Sequence, residues 1–544
     1  MLGLMMDRPL LISSLIEQAA RFHGDTEIVS READRSLFRY DFATARGRAC
    51  QVARALLKLG IEPGDRVATM AWNTHRHFEL YYGISGIGAV MHTINPRLFR
   101  DQIRYMANHA EDRLLFVDPS FVATLETVAA ELPTIRHYII LARRADMPVT
   151  SLPNVLCYEE LIAGETPDFD WPVFDERTAS SLCYTSGTTG NPKGALYSHR
   201  STLLHAYAAV AVDALGLSAR DCLCPVVPMF HVNGWGTAYS AALAGCKLVL
   251  PGQYLDGDSL CSLFREEGVT ISMAVPTVWL GALKHVEETG NGFGRIERLV
   301  IGGSAVPPAM IEIFDKQYGI KVLHAWGMTE MSPLGTMAAP KRKHETALDS
   351  VGKAMRESQG RPVPMVELKI VDGEGRRLPH DGKAFGDLYV RGPCVIGGYF
   401  QDEAADRDAF DAEGWFKTGD VGSIDPDGYL RITDRSKDVI KSGGEWISSI
   451  ELENAALNHP DVAEAAVIGV YHPKWDERPL LVVVMKPERT LDKDAVRRVL
   501  AERVAKWWLP DDIVAVDQIP HTATGKILKT KLREDFSQHR LPTA

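Results

Sequence analysis

The sequence predicts an α/β protein built from several domains, and three observations carry that reading. At 544 residues the chain is too long for one core, since a domain takes roughly 100–200 residues. Over the first two-thirds, short apolar strand-like runs alternate with helical stretches, the rhythm of layered, largely parallel sheets. After about Val351 the texture changes to strands joined by Gly/Asp turns, and after about residue 436 to a separate α+β pattern. Hydrophobic residues make up 45% and charged residues 24%, which excludes a disordered or fibrous chain.

The elements follow in order. Gly47–Leu59 carries a helical apolar face of Val52, Leu56 and Leu59, with Gly60 placed as a C-cap and Pro63-Gly64-Asp65 as a turn. Arg66–Trp72 reads as a strand and Arg76–Val90 as a mostly apolar helix. Buried strands are expected at Leu114–Val117, Tyr138–Leu141, Lys247–Leu250, Leu299–Ile301 and Lys321–His324. Val366–Asp372 and Gly386–Arg391 read as strands of a compact β-rich subdomain. A polar run, Ile432–Asp438, then leads to a helix at 448–458, strands at 463–470 and 479–486, and a helix at 492–507.

Lys+Arg total 60 and Asp+Glu 71, a formal charge of −11. That argues against nucleic acid as a partner, because phosphate-backbone binding needs a basic surface. The eight cysteines are scattered without a CxxC pair, as free thiols in a reducing cytoplasm would be. The N-terminus has no basic region before its apolar residues, so no signal peptide is expected. Leu223–Cys246 lacks Asp, Glu, Lys and Arg and is long enough to span a bilayer. It also contains Pro225, Pro228, His231, Asn233 and several glycines, so buried interior rather than a transmembrane segment is expected.

The strongest chemical signal is the run from Tyr184 to Gly194, comprising Thr185, Ser186, Gly187, Thr188, Thr189, Gly190, Asn191, Pro192 and Lys193. Such a loop can wrap an anion with backbone N–H groups and hydroxyls, and Lys193 adds charge. It is not a Walker A loop, because Lys193 lies between Pro192 and Gly194. The run resembles the phosphate-loop signature of the adenylate-forming superfamily, which includes acyl-CoA synthetases, peptide-synthetase adenylation domains and beetle luciferases. Gly302-Gly303-Ser304-Ala305 is similar to that family's adenine-contacting turn, and Trp326-Gly327-Met328-Thr329-Glu330 to its aromatic-Gly-x-Thr-Glu motif. Gly414–Asp420 is similar to its ribose-binding motif, Asp434–Asp438 to its hinge, and Pro520–Lys526 to its C-terminal catalytic lysine motif. Six ordered motifs span nearly the whole chain.

The resemblance implies a large N-terminal region of two α/β layered subdomains plus a β-rich subdomain, and a small mobile α+β C-terminal domain. Its boundaries here would be 1–435 for the adenylation domain, 436–438 for the hinge and 439–544 for the mobile domain. It implies a two-step reaction in which ATP and a carboxylate give acyl-adenylate and pyrophosphate, and CoA then takes the acyl group. Two anions must meet in the first step, so catalysis is charge neutralisation and positioning. Glu330 and Thr185 would hold Mg²⁺, a hard cation that prefers oxygen ligands. Thr329 would touch the α-phosphate. Asp420, an acceptor-only carboxylate, would take the ribose hydroxyls, with Arg435 beside it. Thr185 to Gly190, Lys193, Gly302, Gly303, Ser304, Ala325, Trp326, Gly327 and Met328 would complete the nucleotide site. Lys526 would bridge the carboxylate and α-phosphate. Lys437 would be the pivot, and Lys441, Ser442, Gly443, Gly444, Glu445 and Trp446 would line a pantetheine tunnel after the swing.

His231, Val232, Gly234, Trp235, Gly302 and Pro333 would form the acyl pocket, with His231 beside the reacting carboxylate and Trp235 as its gate. Pro228–Trp235 contains no charged residue except through His231. An amino-acid substrate would want a buried acidic partner for its ammonium, so an apolar short- to medium-chain acid is expected. His92–Phe99, Pro228–Gly236, Lys441–Ile447 and Lys474–Pro479 resemble medium-chain fatty acyl-CoA ligases. They equally resemble the 3-methylmercaptopropionate-CoA ligases of dimethylsulfoniopropionate breakdown. A thioether is close in shape to a methylene chain, and an apolar pocket discriminates by only about 1–3 kcal/mol per methylene, so both acids stay open. Loading of a carrier protein and a luciferase-like oxygenase are the remoter alternatives. The resemblance also implies a homodimer through the N-terminal domain. Two positions depart from the common pattern: Trp326 stands where Tyr is more usual, and Lys437 where many members carry Asp.

Overall fold

The computed structural model describes residues 1–544 apart from 2, 186–190, 345–349, 444 and 522–526. Among the described residues the strands form four sheets, of nine, seven, four and five strands. The nine-stranded sheet is parallel through its centre. The strands Lys321–Gly327, Arg298–Ile301, Ile271–Ala274, Cys222–Pro225, Lys247–Leu250 and Glu27–Arg31 lie side by side in that order. The seven-stranded sheet is parallel except for its last strand, Gly194–Ser198, which turns back along Ala179–Tyr184.

Helices Phe42–Lys58, His75–Gly86, His199–Val210 and Thr237–Ala244 pack between these two sheets and share one core with both. Every residue of His75–Gly86 is buried, as a helix covered on both sides must be. Gly257–Glu267, Pro276–Thr289 and Pro308–Tyr318 cover the outer face of the nine-stranded sheet. The result is a layered α/β/α/β/α body, the expected class. The four-stranded antiparallel sheet, Glu367–Val371 to Leu430–Arg435, is the β-rich unit. Beyond it, Val462–His472 and Asp476–Met485 form a long hairpin with the short strands Ile440–Ser442, Glu445–Ile447 and Asp512–Ala515.

Several expected boundaries move. The helix expected at Arg76–Val90 is His75–Gly86, because Gly88 turns left-handed (φ 80°) and Val90–Thr93 becomes a strand beside Arg66–Met70. The helix expected at 492–507 ends at Ala501. The polar run Ile432–Asp438 is half strand, since Leu430–Arg435 pairs with Phe416–Ile424. Leu223–Cys246 is interior, as expected: a strand, a turn and the helix Thr237–Ala244. All eight cysteines are free and buried. Among the described residues no helix is long and apolar enough to cross a membrane.

Candidate active site

Five chain segments leave the carboxyl ends of parallel strands, four in the nine-stranded sheet and one in the seven-stranded sheet, the end at which open α/β sheets bind ligands. Val226–Pro228, Val275, Gly302–Ala305, Met328–Glu330 and the ends of the 185–193 loop all line one cavity of about 460 Å³. The cavity brings together Thr185, Lys193, His231, Val232, Trp235, Gly302, Gly303, Ser304, Ala325, Trp326, Gly327, Met328, Thr329, Glu330, Pro333, Asp420 and Arg435. Gly234 is not in its wall but in the turn that carries Val232 and Trp235. Lys441, Ser442 and Gly443 do not line it, and Lys437 lies between the last strand of the β-rich unit and Ile440–Ser442. Ser186 to Gly190, Gly444 and Lys526 lie outside the described residues, as do the side chains of Glu445 and Trp446.

One end of the cavity is polar. The ends of the Thr185–Lys193 loop are tied by the Thr185 N–H donating to the Lys193 carbonyl (2.9 Å) and the Lys193 N–H to the Thr185 hydroxyl (3.2 Å). The Lys193 ammonium stands 5.0 Å above the Tyr399 ring, and the Tyr399 hydroxyl donates to Glu330 at 2.8 Å. Burial pushes the Glu330 carboxyl above its ordinary range, and the Tyr399 hydroxyl, Arg435 and Lys193 pull the other way. Thr329 is pinned through its carbonyl, which accepts from Tyr197. Trp326 Nε1 donates to Asp420 at 2.9 Å, and Arg435, directly across the strand pair, lies 3.6 Å from the other carboxylate oxygen. Asp420 therefore keeps acceptor capacity for further hydroxyls. The Trp326 ring rests on Gly335, where a Cβ would come within 2.8 Å of it.

The other end is apolar, walled by Leu215, Val226, Val227, Trp235, Met273 and Val278 among others. Asn73 holds this wall. Its amide donates to the carbonyls of Pro225 (2.8 Å) and Val227 (2.9 Å), and its carbonyl accepts from the Met229 N–H (2.7 Å). The Trp235 indole lies beside Gly303, 3.8 Å from where a Cβ would sit. His205 Nε2 accepts from the Leu334 N–H at 3.1 Å, and burial pushes its pKa down to about 4, consistent with a neutral acceptor.

Sequence reasoning missed Tyr399, Asn73, Gln359 and Arg97. Tyr399 sits in Gly397-Gly398-Tyr399-Phe400, which carries no signal of a carboxylate 69 positions away. Arg97 lines the cavity and stacks over Trp72 (5.5 Å) and Phe230 (6.0 Å); the sequence points only to its segment, His92–Phe99.

The fold is that of an enzyme that activates an acid with a nucleotide, and comparison with known proteins bears this out. The AMP-binding enzyme family matches residues 15–400, and the AMP-binding enzyme C-terminal domain matches residues 451–526; the chain belongs to the AMP-binding enzyme family. Over 536 residues it is 52% identical to 3-methylmercaptopropionyl-CoA ligase of Ruegeria lacuscaerulensis, covering 98% of this chain and 99% of that one. It is 49% identical to medium-chain-fatty-acid–CoA ligase of Ectopseudomonas oleovorans, covering 98% of each. Among solved structures it is similar to the anthranilate CoA ligase AuaEII in complex with anthranoyl-AMP (TM-score 0.85, 26% identity, 97% of this chain and 98% of that one). It is also similar to ATP-bound MatB from Rhodopseudomonas palustris (TM-score 0.80, 25% identity, 96% and 99%).

Proposed function

We propose that this chain is an AMP-forming acyl-CoA ligase for short- to medium-chain aliphatic acids. The observation that carries this is one cavity with a polar, nucleotide-suited end at Thr185, Lys193, Glu330, Trp326 and Asp420 and an apolar end at Trp235, Val226 and Met273. His231 and Gly302 also line this cavity, and the proposal puts the reacting carboxylate beside them. A carboxylate oxygen would attack the α-phosphorus of ATP there, forming the acyl–O–P bond as the bond to pyrophosphate breaks. The CoA sulfur would then attack the acyl carbon, and AMP would leave. Lys193 and Arg435 offset the charge of the phosphates, Asp420 orients the ribose, and the apolar wall excludes water from the mixed anhydride.

Glu330 and the Thr185 hydroxyl would hold Mg²⁺, which would neutralise phosphate charge. Among the described residues no group of three His, Cys, Asp or Glu could hold a metal. One buried carboxylate fits Mg²⁺ all the same, because this ion takes most of its ligands from phosphate and water. Among the described residues beyond 436, Ile450 alone lines the cavity. The reading includes the swing about Lys437 that exchanges Lys526 for the 441–446 segment, as the family resemblance implies. The similarity to 3-methylmercaptopropionyl-CoA ligase supports a second reading of the acid, a thioether acid. A cytoplasmic homodimer completes the proposal.

The test is pyrophosphate release over a panel of acids, each with and without CoA, from acetate through hexadecanoate and including 3-methylmercaptopropionate, benzoate and one amino acid. CoA-dependent turnover peaking on a short to medium aliphatic or thioether acid is expected. Pyrophosphate release with no CoA dependence would point to a carrier protein as acceptor. No activity on any acid would overturn the reading.

A further inference from the structure

The backbone from Val232 to Gly236 runs left-handed for five consecutive residues, with φ of 49°, 51°, 55°, 56° and 72°. Only Gly234 and Gly236 are glycines; Val232, Asn233 and Trp235 carry side chains. L-residues disfavour this conformation, β-branched ones most, and normally visit it singly. A run of this kind persists only where the surroundings over-determine it.

Asn233 supplies that constraint. Its side-chain amide donates to Ser181 Oγ at 2.9 Å. Its carbonyl oxygen accepts from the Cys183 thiol at 3.2 Å and, at longer range, from the Thr93 hydroxyl at 3.5 Å. Those partners lie on two adjacent strands of the seven-stranded sheet, Val90–Thr93 and Ala179–Tyr184, and all four residues are buried. Asn is also the non-glycine residue that best tolerates a left-handed backbone. Asn233 itself does not line the main cavity, whereas His231, Val232 and Trp235 do. His231 and Val232 also border a second, much smaller cavity of about 10 Å³ on the side of Thr93 and Cys183. The turn is therefore a partition whose position fixes the inner outline of the large cavity.

We infer that Asn233 is a positioning residue of the acyl site: its carboxamide clamps the left-handed turn to the seven-stranded sheet and so sets the depth at which His231 and Trp235 meet the acid. This rests on the reading of the cavity as an acyl site. A shift of the clamp changes the shape presented to the acid and leaves Asp420, Trp326 and Glu330, which sit on other segments, in place.

The experiment compares Asn233→Ala, Asn233→Gly and Ser181→Ala with wild type over the same acid panel, reading KM for acid and for ATP separately. Asn233→Ala should raise the acid KM at least ten-fold and flatten the preference among neighbouring chain lengths, with the ATP KM within two-fold. Asn233→Gly keeps a residue at ease in the left-handed region and should lose less. Ser181→Ala, which removes a partner outside the cavity wall, should shift the acid KM in the same direction by a smaller factor. An unchanged acid KM and chain-length profile in Asn233→Ala would overturn the proposal. So would acid and ATP KM rising together, or failure of both Asn233 variants to fold, either of which would make the residue a general structural pin. A wild-type enzyme that activates no acid would instead bring down the functional reading, and this inference with it.

Discussion

Under the proposed function, Glu330 sets function against stability at a single residue. It is buried, and burial disfavours its ionised form despite Tyr399, Arg435 and Lys193 nearby. A carboxyl whose folded pKa is raised favours the native state at low pH and loses that contribution as pH rises through the raised value. Glu330→Gln should therefore raise the melting temperature at pH 7–8, with the gain disappearing near pH 4. It should also cut adenylate formation by about 10²–10³, the usual cost of removing one electrostatic stabiliser. Calorimetry at the two pH values and pyrophosphate release check both halves; a variant that is active or less stable at pH 8 would contradict the assignment. The sequence pointed to Glu330, Asp420 and Trp326 through their motifs. It could not point to Tyr399, whose hydroxyl reaches Glu330 only because an isolated bridge pairs Ala195 with Tyr399 and the chain folds back there.

At the scale of the element, the turn after strand Lys321–Gly327 is crowded by its own return. The Met328 N–H donates to the Pro333 carbonyl at 3.0 Å, and a Cβ on Gly327 would fall 2.1 Å from that same oxygen. The obstacle is backbone, which cannot swing aside as a side chain can. Gly327→Ala should lower stability by about 1–3 kcal/mol, the range typical of overpacking, and should displace Thr329 and Glu330. A fall in the urea midpoint together with lost activity is the expected result; an unchanged midpoint would mean the turn is free to open. Helix and strand types were legible from periodicity along most of the chain. Lengths were less so, because Val90–Thr93 is as apolar as the helix before it, and only pairing with Arg66–Met70 separates the two.

For the whole molecule, burial shapes the response to acid. His77, His199, His205 and His324 are each pushed down to about 4 from 6.5 by burial. A histidine held neutral in the native state contributes stability that is whole above pH 6.5 and is lost as pH falls toward 4. Melting temperature should thus drop by several degrees between pH 6.5 and 4.5, and replacing His205 with Gln should shallow that slope.

The junction between the β-rich unit and the C-terminal unit carries its own charge arithmetic. Asp434 accepts from the Ser449 N–H (2.6 Å) and hydroxyl, and Lys529 pairs at 2.7 Å with Glu453, whose side chain is 12% exposed. Burial works against the Lys529 charge, but Glu453 and Asp434 outweigh it and raise its pKa. Lys529→Met would leave buried Asp434 and largely covered Glu453 without their cation. It should cost about 3–5 kcal/mol, read as early unfolding of the C-terminal unit by hydrogen exchange; uniform exchange over the chain would argue against a local role.

The sequence by itself determined the α/β class, the order of the motifs and the family, and it singled out charged residues that the structure gathers around one cavity, because each of these is written in local spacing and residue chemistry. Only the tertiary structure decided that Asn73 braces the cavity wall, that Trp326 engages Asp420, that Tyr399 caps Glu330 and that Asn233 clamps a left-handed turn to a neighbouring sheet. These contacts join residues from 50 to more than 150 positions apart. They exist because parallel strands, each returning through a long crossover, bring distant segments together, and because the antiparallel unit packs Tyr399 and Asp420 against the segment 326–330, adjacencies that local spacing does not encode.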